Sequence, residues 1–130
     1  MSHLAKIQLQ IKDLAALKLA ASARGLELVE GAQSFKWYQG QGKCDHKLKL
    51  KDARAGSYEI GLVKSEDGVG YSMLWDDFDT SLRNAAGGRD AGALKQEYGA
   101  AVATRYYESE GFSVHRTLNS KGEIILTADK

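Results

Sequence analysis

Cys44-Asp45-His46-Lys47-Leu48-Lys49-Leu50-Lys51 decides the fold class, because its side chains alternate in character with a period of two. Side chains two apart on a strand share a face and lie about 7 Å apart along it. The stretch therefore predicts a β-strand with Cys44, His46, Leu48 and Leu50 on one side and Asp45, Lys47, Lys49 and Lys51 on the other. A thiol and an imidazole then stand at one end of an apolar row. The same period appears upstream, where Ala5, Ile7, Leu9 and Ile11 alternate with Lys6, Gln8, Gln10 and Lys12, the pattern of a sheet with one covered face.

Outward from these strands, Asp13 offers a helix cap, and Leu14, Leu17, Ala20 and Ala21 recur at helical spacing. With Gly25 as a stop, this predicts a helix over residues 14–24. A strand is expected over 26–29, followed by a glycine-rich excursion holding Phe35, Trp37, Tyr38, Gly40 and Gly42. Strands over 57–64 and 71–76 flank the turn sequence Ser65-Glu66-Asp67-Gly68 and form a hairpin, which with the Cys44 strand makes an antiparallel meander. Residues 84–92 contain three glycines, too many for a stable helix interior, and read as a loop. From Ala93, the positions Leu94, Tyr98, Ala101, Val102, Arg105 and Tyr106 make a broad helical stripe that stops at Gly111. The segments 112–118 and 123–128 pair across Asn119-Ser120-Lys121-Gly122. The expectation is an α+β protein, a mainly antiparallel sheet of five to seven strands with two helices packed on one face.

Composition narrows the function classes. The 130 residues are 43% hydrophobic, enough for one domain, residues 1–130, with an ordinary core. With 18 Lys and Arg against 17 Asp and Glu, there is no global field directed at nucleic acid or anionic membrane, so any such binding needs a local patch. A single cysteine makes no internal disulfide and suits a reducing compartment. No stretch approaches the roughly 20 apolar residues that span a bilayer, and no basic segment followed by an apolar run opens the chain. The expectation is a soluble, unprocessed, cytoplasmic protein. Proline is absent, and no linker marks a domain boundary.

Six ordered phrases read together: Met1-Ser2-His3, Cys44-Asp45-His46, Tyr58-Glu59-Ile60-Gly61-Leu62-Val63, Trp75-Asp76, Leu94-Lys95-Gln96-Glu97-Tyr98 and Gly122-Glu123-Ile124. Over nearly the whole chain they resemble the domain-of-unknown-function family that includes the chloroplast hypothetical reading frame thirty-five, with plastid, cyanobacterial and phage members. The resemblance implies a small, soluble, stand-alone protein and carries no catalytic residues across. The Gly87-Gly88 loop and the phrasing point to a phage member, so the chloroplast label does not fix a location.

Several constellations could carry chemistry. Cys44 and His46, with His3, offer thiolate and imidazole donors for zinc. The paired Cys-x-x-Cys or His-x-x-x-His spacing of structural sites is missing, however, so the reading is no metal and no cofactor, with Cys44 as a small hydrophobe and His46 as a core-edge histidine. As a catalytic pair, His46 would draw the proton from Cys44, with Asp76 of Trp75-Asp76 orienting the ring, since Asp45 faces the other way. Gly87 and Gly92 have the gap of a phosphate loop, but Ala93 stands where the lysine is required. Gly88 and Arg89 beside a helix start could still hold an anion, and a loop of this kind more often meets a partner. Lys43, Lys47, Lys49 and Lys51, with Lys36, Trp37 and Tyr38, resemble a single-strand nucleic-acid surface, against which stands the ordinary solvated strand face. Trp75 and Phe78, beside Asp76, Asp77 and Asp79, could anchor an interface or belong to the core.

The reading that follows is a non-enzymatic binding or adaptor protein. It presents the Trp37 loop and the loop over residues 76–92 to another protein or to a second copy in a homo-oligomer, with no membrane partner. A cysteine/histidine enzyme and a nucleic-acid binder are the alternatives.

Overall fold

The computed structural model describes residues 5–54 and 56–130. The phrase Met1-Ser2-His3, and with it the His3 donor, lies outside them. The described residues form β1 (Ala5–Ile11), α1 (Leu14–Ala23), β2 (Leu26–Glu30), β3 (Ser34–Trp37), β4 (Gly40–Lys43), β5 (His46–Leu50), β6 (Ile60–Lys64), β7 (Tyr71–Trp75), α2 (Thr80–Ala86), α3 (Gly92–Ser109), β8 (Ser113–Leu118) and β9 (Ile124–Asp129). Five strands make one sheet in the order β1-β7-β6-β5-β2, every neighbouring pair antiparallel. The pairs β3–β4 and β8–β9 are separate two-stranded sheets. The α+β class and the β5–β6–β7 meander are as the alternation predicted.

Register puts one row across the sheet: Leu28 faces Leu48, which faces Ile60 on its other side. The next row runs from His46 through Leu62 to Met73. Leu48, Ile60, Leu62, Met73 and Trp75 are buried in one cluster with Leu17 and Ala20 of α1, Leu82 and Ala86 of α2, and Leu94 and Tyr98 of α3. All three helices thus cover the same face. Each fully buried leucine or isoleucine in that cluster contributes about 1.5–3 kcal/mol.

Three expectations need correction. The loop foreseen over 84–92 conceals a third helix: the Asp79 side chain accepts the Leu82 amide at 3.2 Å and starts α2, which needs only Leu82 and Ala86 to bury. Gly87, at φ 87°, then stops it, and the amides of Gly87 and Gly88 both return to the Arg83 carbonyl, a paired C-terminal cap. A Cβ at Gly87 would also lie 2.6 Å from the Ala93 amide nitrogen, so glycine there lets α3 begin directly against α2.

The glycine-rich excursion is likewise a hairpin, β3–β4, folded over the second sheet face with Phe35 buried. Aromatic and glycine positions conceal its period of two. Finally, Cys44 lies outside β5. Its amide donates to the Gln33 carbonyl at 3.1 Å and the Asp45 amide to the Leu62 carbonyl at 2.8 Å, so the chain bends between the small sheet and the large one before pairing resumes at His46.

The closing hairpin β8–β9 lies on α3 rather than extending the main sheet. Two strands alone are marginal, and this pair is held by Arg116, whose guanidinium donates to Glu97 at 2.8 and 2.5 Å, and by the Ile124 amide, which donates to Gln96. No helix among the described residues is long and apolar enough to cross a membrane.

Candidate partner-docking site

Cys44 and His46 come close in the chain without acting on each other. The His46 Nδ1 accepts the Gly31 amide at 2.9 Å, so its proton sits on Nε2, which lies 3.2 Å from the Tyr71 hydroxyl. Both nitrogens are therefore engaged, and the ring stands edge-on to Tyr71 with centroids 5.0 Å apart. The Cys44 Sγ donates instead to the Ala32 carbonyl at 3.4 Å. Burial pushes the thiol above its ordinary range, against a smaller opposing effect of Lys47 and with Asp45 and Glu59 adding to the rise. A nucleophilic thiol needs the reverse. Among the described residues no three His, Cys, Asp or Glu side chains gather at metal-binding distance.

The acidic stretch after β7 is organised differently. Trp75 is fully buried in the core and Asp76, the next residue, is 1% exposed. An isolated buried carboxylate is costly and must be satisfied. Asp76 Oδ1 accepts the Phe78 amide at 3.1 Å, an Asx turn, and Oδ2 accepts the Tyr38 amide at 3.3 Å from the tip of the β3–β4 hairpin. Asp79 divides its oxygens in the same way: Oδ1 caps α2 and Oδ2 accepts the Tyr58 amide at 2.9 Å. Two carboxylates thus tie together the hairpin tip, the approach to β6 and the start of α2.

The rings of the two residues whose amides Asp76 holds point outward. Tyr38 is 63% exposed and Phe78 68%. Tyr58 stands half-buried beside them, its hydroxyl pushed above the ordinary tyrosine range by desolvation, then by Asp76, Tyr38 and Asp79, so it remains a neutral hydrogen-bonding group. Arg83 reaches the Asp77 carbonyl at 3.3 Å, and Arg89 lies 3.9 Å from the Asp77 carboxylate. These charges gather at Asp77, next to Phe78 in the chain.

The structure brings Asp76 to the Trp37 loop, keeps Trp75 in the core and gives Cys44 and His46 separate partners. Gly87 and Gly88 spend their amides on α2, and the Gly92 amide at the start of α3 donates to Asp90 at 3.0 Å. The amides of these three glycines are therefore committed. The lysine row is dispersed as well: Lys47 pairs with Glu59, Lys49 with Glu27, and Lys51 reaches Ser22 of α1.

Tyr58 and the structural part played by Asp79 were missed from the sequence. Asp76-Asp77-Phe78 as an Asx turn and Asp79-x-x-Leu82 as a cap were the available signals. No family model, curated protein or solved structure matches this chain.

Proposed function

We propose that this is a non-enzymatic binding protein that docks another protein through Tyr38 and Phe78. The observation that carries the reading is Asp76: a carboxylate 1% exposed uses one oxygen on each of the two aromatic residues' amides while their rings stay in solvent. Burying a charge to fix two backbones makes sense where the rings must be held ready, because pre-ordered aromatic anchors lose little conformational entropy on binding. The complementary surface is an apolar pocket wide enough for two rings, with a polar rim facing Asp77, Arg83 and Arg89. That assignment accords with the family resemblance, which implies a small stand-alone protein with no transferred catalytic residues. A cytoplasmic location and, from the phage-like phrasing, a viral adaptor are part of the same proposal.

A photo-crosslinking residue in place of Phe78, introduced in cells producing the chain, is expected to trap one protein reproducibly. Adding Tyr38→Ala should abolish the trap while leaving the melting temperature within a few degrees. Random adducts, or a trap indifferent to Tyr38→Ala, would overturn the assignment.

A further inference from the structure

The outward face of α3 carries an interior glycine with no use in the single chain. Gly99 sits mid-helix, where glycine is the least favourable residue after proline, and a Cβ there would meet nothing within 4 Å. On the same face stand Lys95 one turn before, Val102 and Ala103 one turn after and Tyr106 two turns after, with Glu110 at the helix end. Tyr106 is 59% and Val102 37% exposed. Lys95, Val102, Ala103 and Tyr106 line, with Tyr98, an open and mainly apolar groove of about 600 Å³, to which Gln10, Lys12 and Asp13 also contribute. The Tyr106 ring is held edge-on to Tyr107, 5.4 Å away, and Tyr107 to Phe112 at 5.7 Å, so the knob is already oriented.

We infer that this face pairs with the same face of a second copy, α3 against α3, antiparallel about a two-fold axis between residues 102 and 103. In that register Val102 meets the other copy's Ala103, the Tyr106 ring enters the space over the other copy's Gly99, and Lys95 meets the other copy's Glu110. Within one chain Lys95 and Glu110 are about 22 Å apart along the helix and never meet. Neither forms an ion pair among the described residues. An isologous contact forms the Lys95–Glu110 pair twice, once from each copy, and the opposed helix dipoles add to it. This interface shares no residue with the Tyr38 and Phe78 surface.

Sedimentation velocity of the full chain over a concentration series tests the pairing. A monomer–dimer equilibrium is expected. Tyr106→Ala should raise its Kd about tenfold or more, as loss of a central aromatic anchor does. Gly99→Ala should raise the melting temperature of the dilute chain while weakening the dimer, opposite signs that a purely structural glycine would not give. Lys95→Glu or Glu110→Lys alone should weaken dimerisation by about tenfold, and the two together should restore it. Gly99, Tyr106 and Glu110 are exposed and Lys95 half-buried, and circular dichroism verifies that each variant folds. A monomer at millimolar chain, a dimer indifferent to Gly99 and Tyr106, or a double charge swap that fails to restore pairing would each overturn the inference.

Discussion

The ring of Phe35 lies against the backbone of Gly61, so that a Cβ at Gly61 would stand 2.5 Å from Phe35 Cε1. Gly42 leaves the same room from the other side, with a Cβ there also 2.5 Å from Cε1. Phe35 is thus held between the hairpin that bears it and the second face of the main sheet, which fixes the hairpin tip, and with it Tyr38, over β6 and β7.

Gly61→Ala should therefore destabilise the fold by roughly 1–3 kcal/mol, the range for overpacking a filled site. Urea unfolding measures it. Combining the change with Phe35→Leu should recover part of the loss, because the smaller side chain vacates the space. An unchanged midpoint in the single variant would show that the ring and the strand do not meet.

Under the same hairpin, Lys47 and Glu59 form an ion pair 20% and 7% exposed, at 3.1 Å, and Glu59 also accepts the Lys36 amide at 2.9 Å. Removing the ammonium strands a carboxylate, so Lys47→Met should cost about 1–3 kcal/mol, while Lys47→Met with Glu59→Leu should cost less than the separate losses combined. A double-mutant cycle in denaturant decides it. Additive losses would mean that the two charges are not coupled.

Asp13 closes the first turn of α1 and pairs with Arg105 of α3. Its Oδ1 accepts the Ala16 amide at 3.0 Å and its Oδ2 the Arg105 Nε at 3.1 Å. The Ala16 bond, the largest effect, holds the carboxyl below the ordinary range; desolvation, next in size, opposes it, and Arg105 adds to the lowering. A depressed carboxyl stabilises the fold above the pKa it has when unfolded, about 4, and loses that contribution as pH falls through its lower folded value. Asp13→Ala should cost about 0.5–2 kcal/mol at neutral pH. The difference from the parent chain should close in acid below pH 4. A gap that persists unchanged there would assign the loss to something other than the ionised cap.

How much was legible follows from how local each signal is. The strands β1, β5, β6 and β7 and the helix α1 announce themselves by alternation or by a cap and a stop within ten residues. The β3–β4 hairpin does not, because Phe35 is buried through two glycines that make room for it, and one of them, Gly61, lies on a strand of the other sheet. The lysine row read as one solvated face, yet Lys47 is drawn under the hairpin by Glu59 and Lys51 toward α1. The importance of Asp76 was visible as Trp75-Asp76, but its partner Tyr38 is 38 residues distant, and no periodicity reports a pairing of that kind.

Cys44 supplies a test in the opposite pH direction. Its thiol donates to Ala32 and is pushed upward by burial, so the thiolate fraction at neutral pH falls below that of a free cysteine. Alkylation by iodoacetamide in native buffer should be several-fold slower than for an unfolded control at pH 7.5, with its rate still rising where the control has levelled off, beyond about pH 9. The neutral thiol stabilises the fold below the unfolded thiol pKa, and that contribution is lost as pH rises through the higher folded one. Reaction as fast as the control at neutral pH would revive the nucleophilic reading of Cys44.

Asp76 makes the sharpest demand on the proposed role, because its stability and its function separate on substitution. Asp76→Asn keeps one acceptor oxygen and turns an NH₂ group toward the amide of Tyr38 or of Phe78, so one of the two tethers must break. With the remaining group buried, the loss should be about 1–3 kcal/mol, read from the denaturant midpoint. The released segment should also become a preferred site of chymotrypsin cleavage at Tyr38 or Phe78 under conditions where the rest of the chain resists, since the cut reports local opening rather than global unfolding. Phe78→Ala, by contrast, removes a ring that is 68% exposed and should leave the midpoint within about 0.5 kcal/mol while abolishing affinity for the partner that the crosslink identifies, measured with the purified pair. If Phe78→Ala unfolds the chain as Asp76→Asn does, the ring is a structural element and the docking surface lies elsewhere.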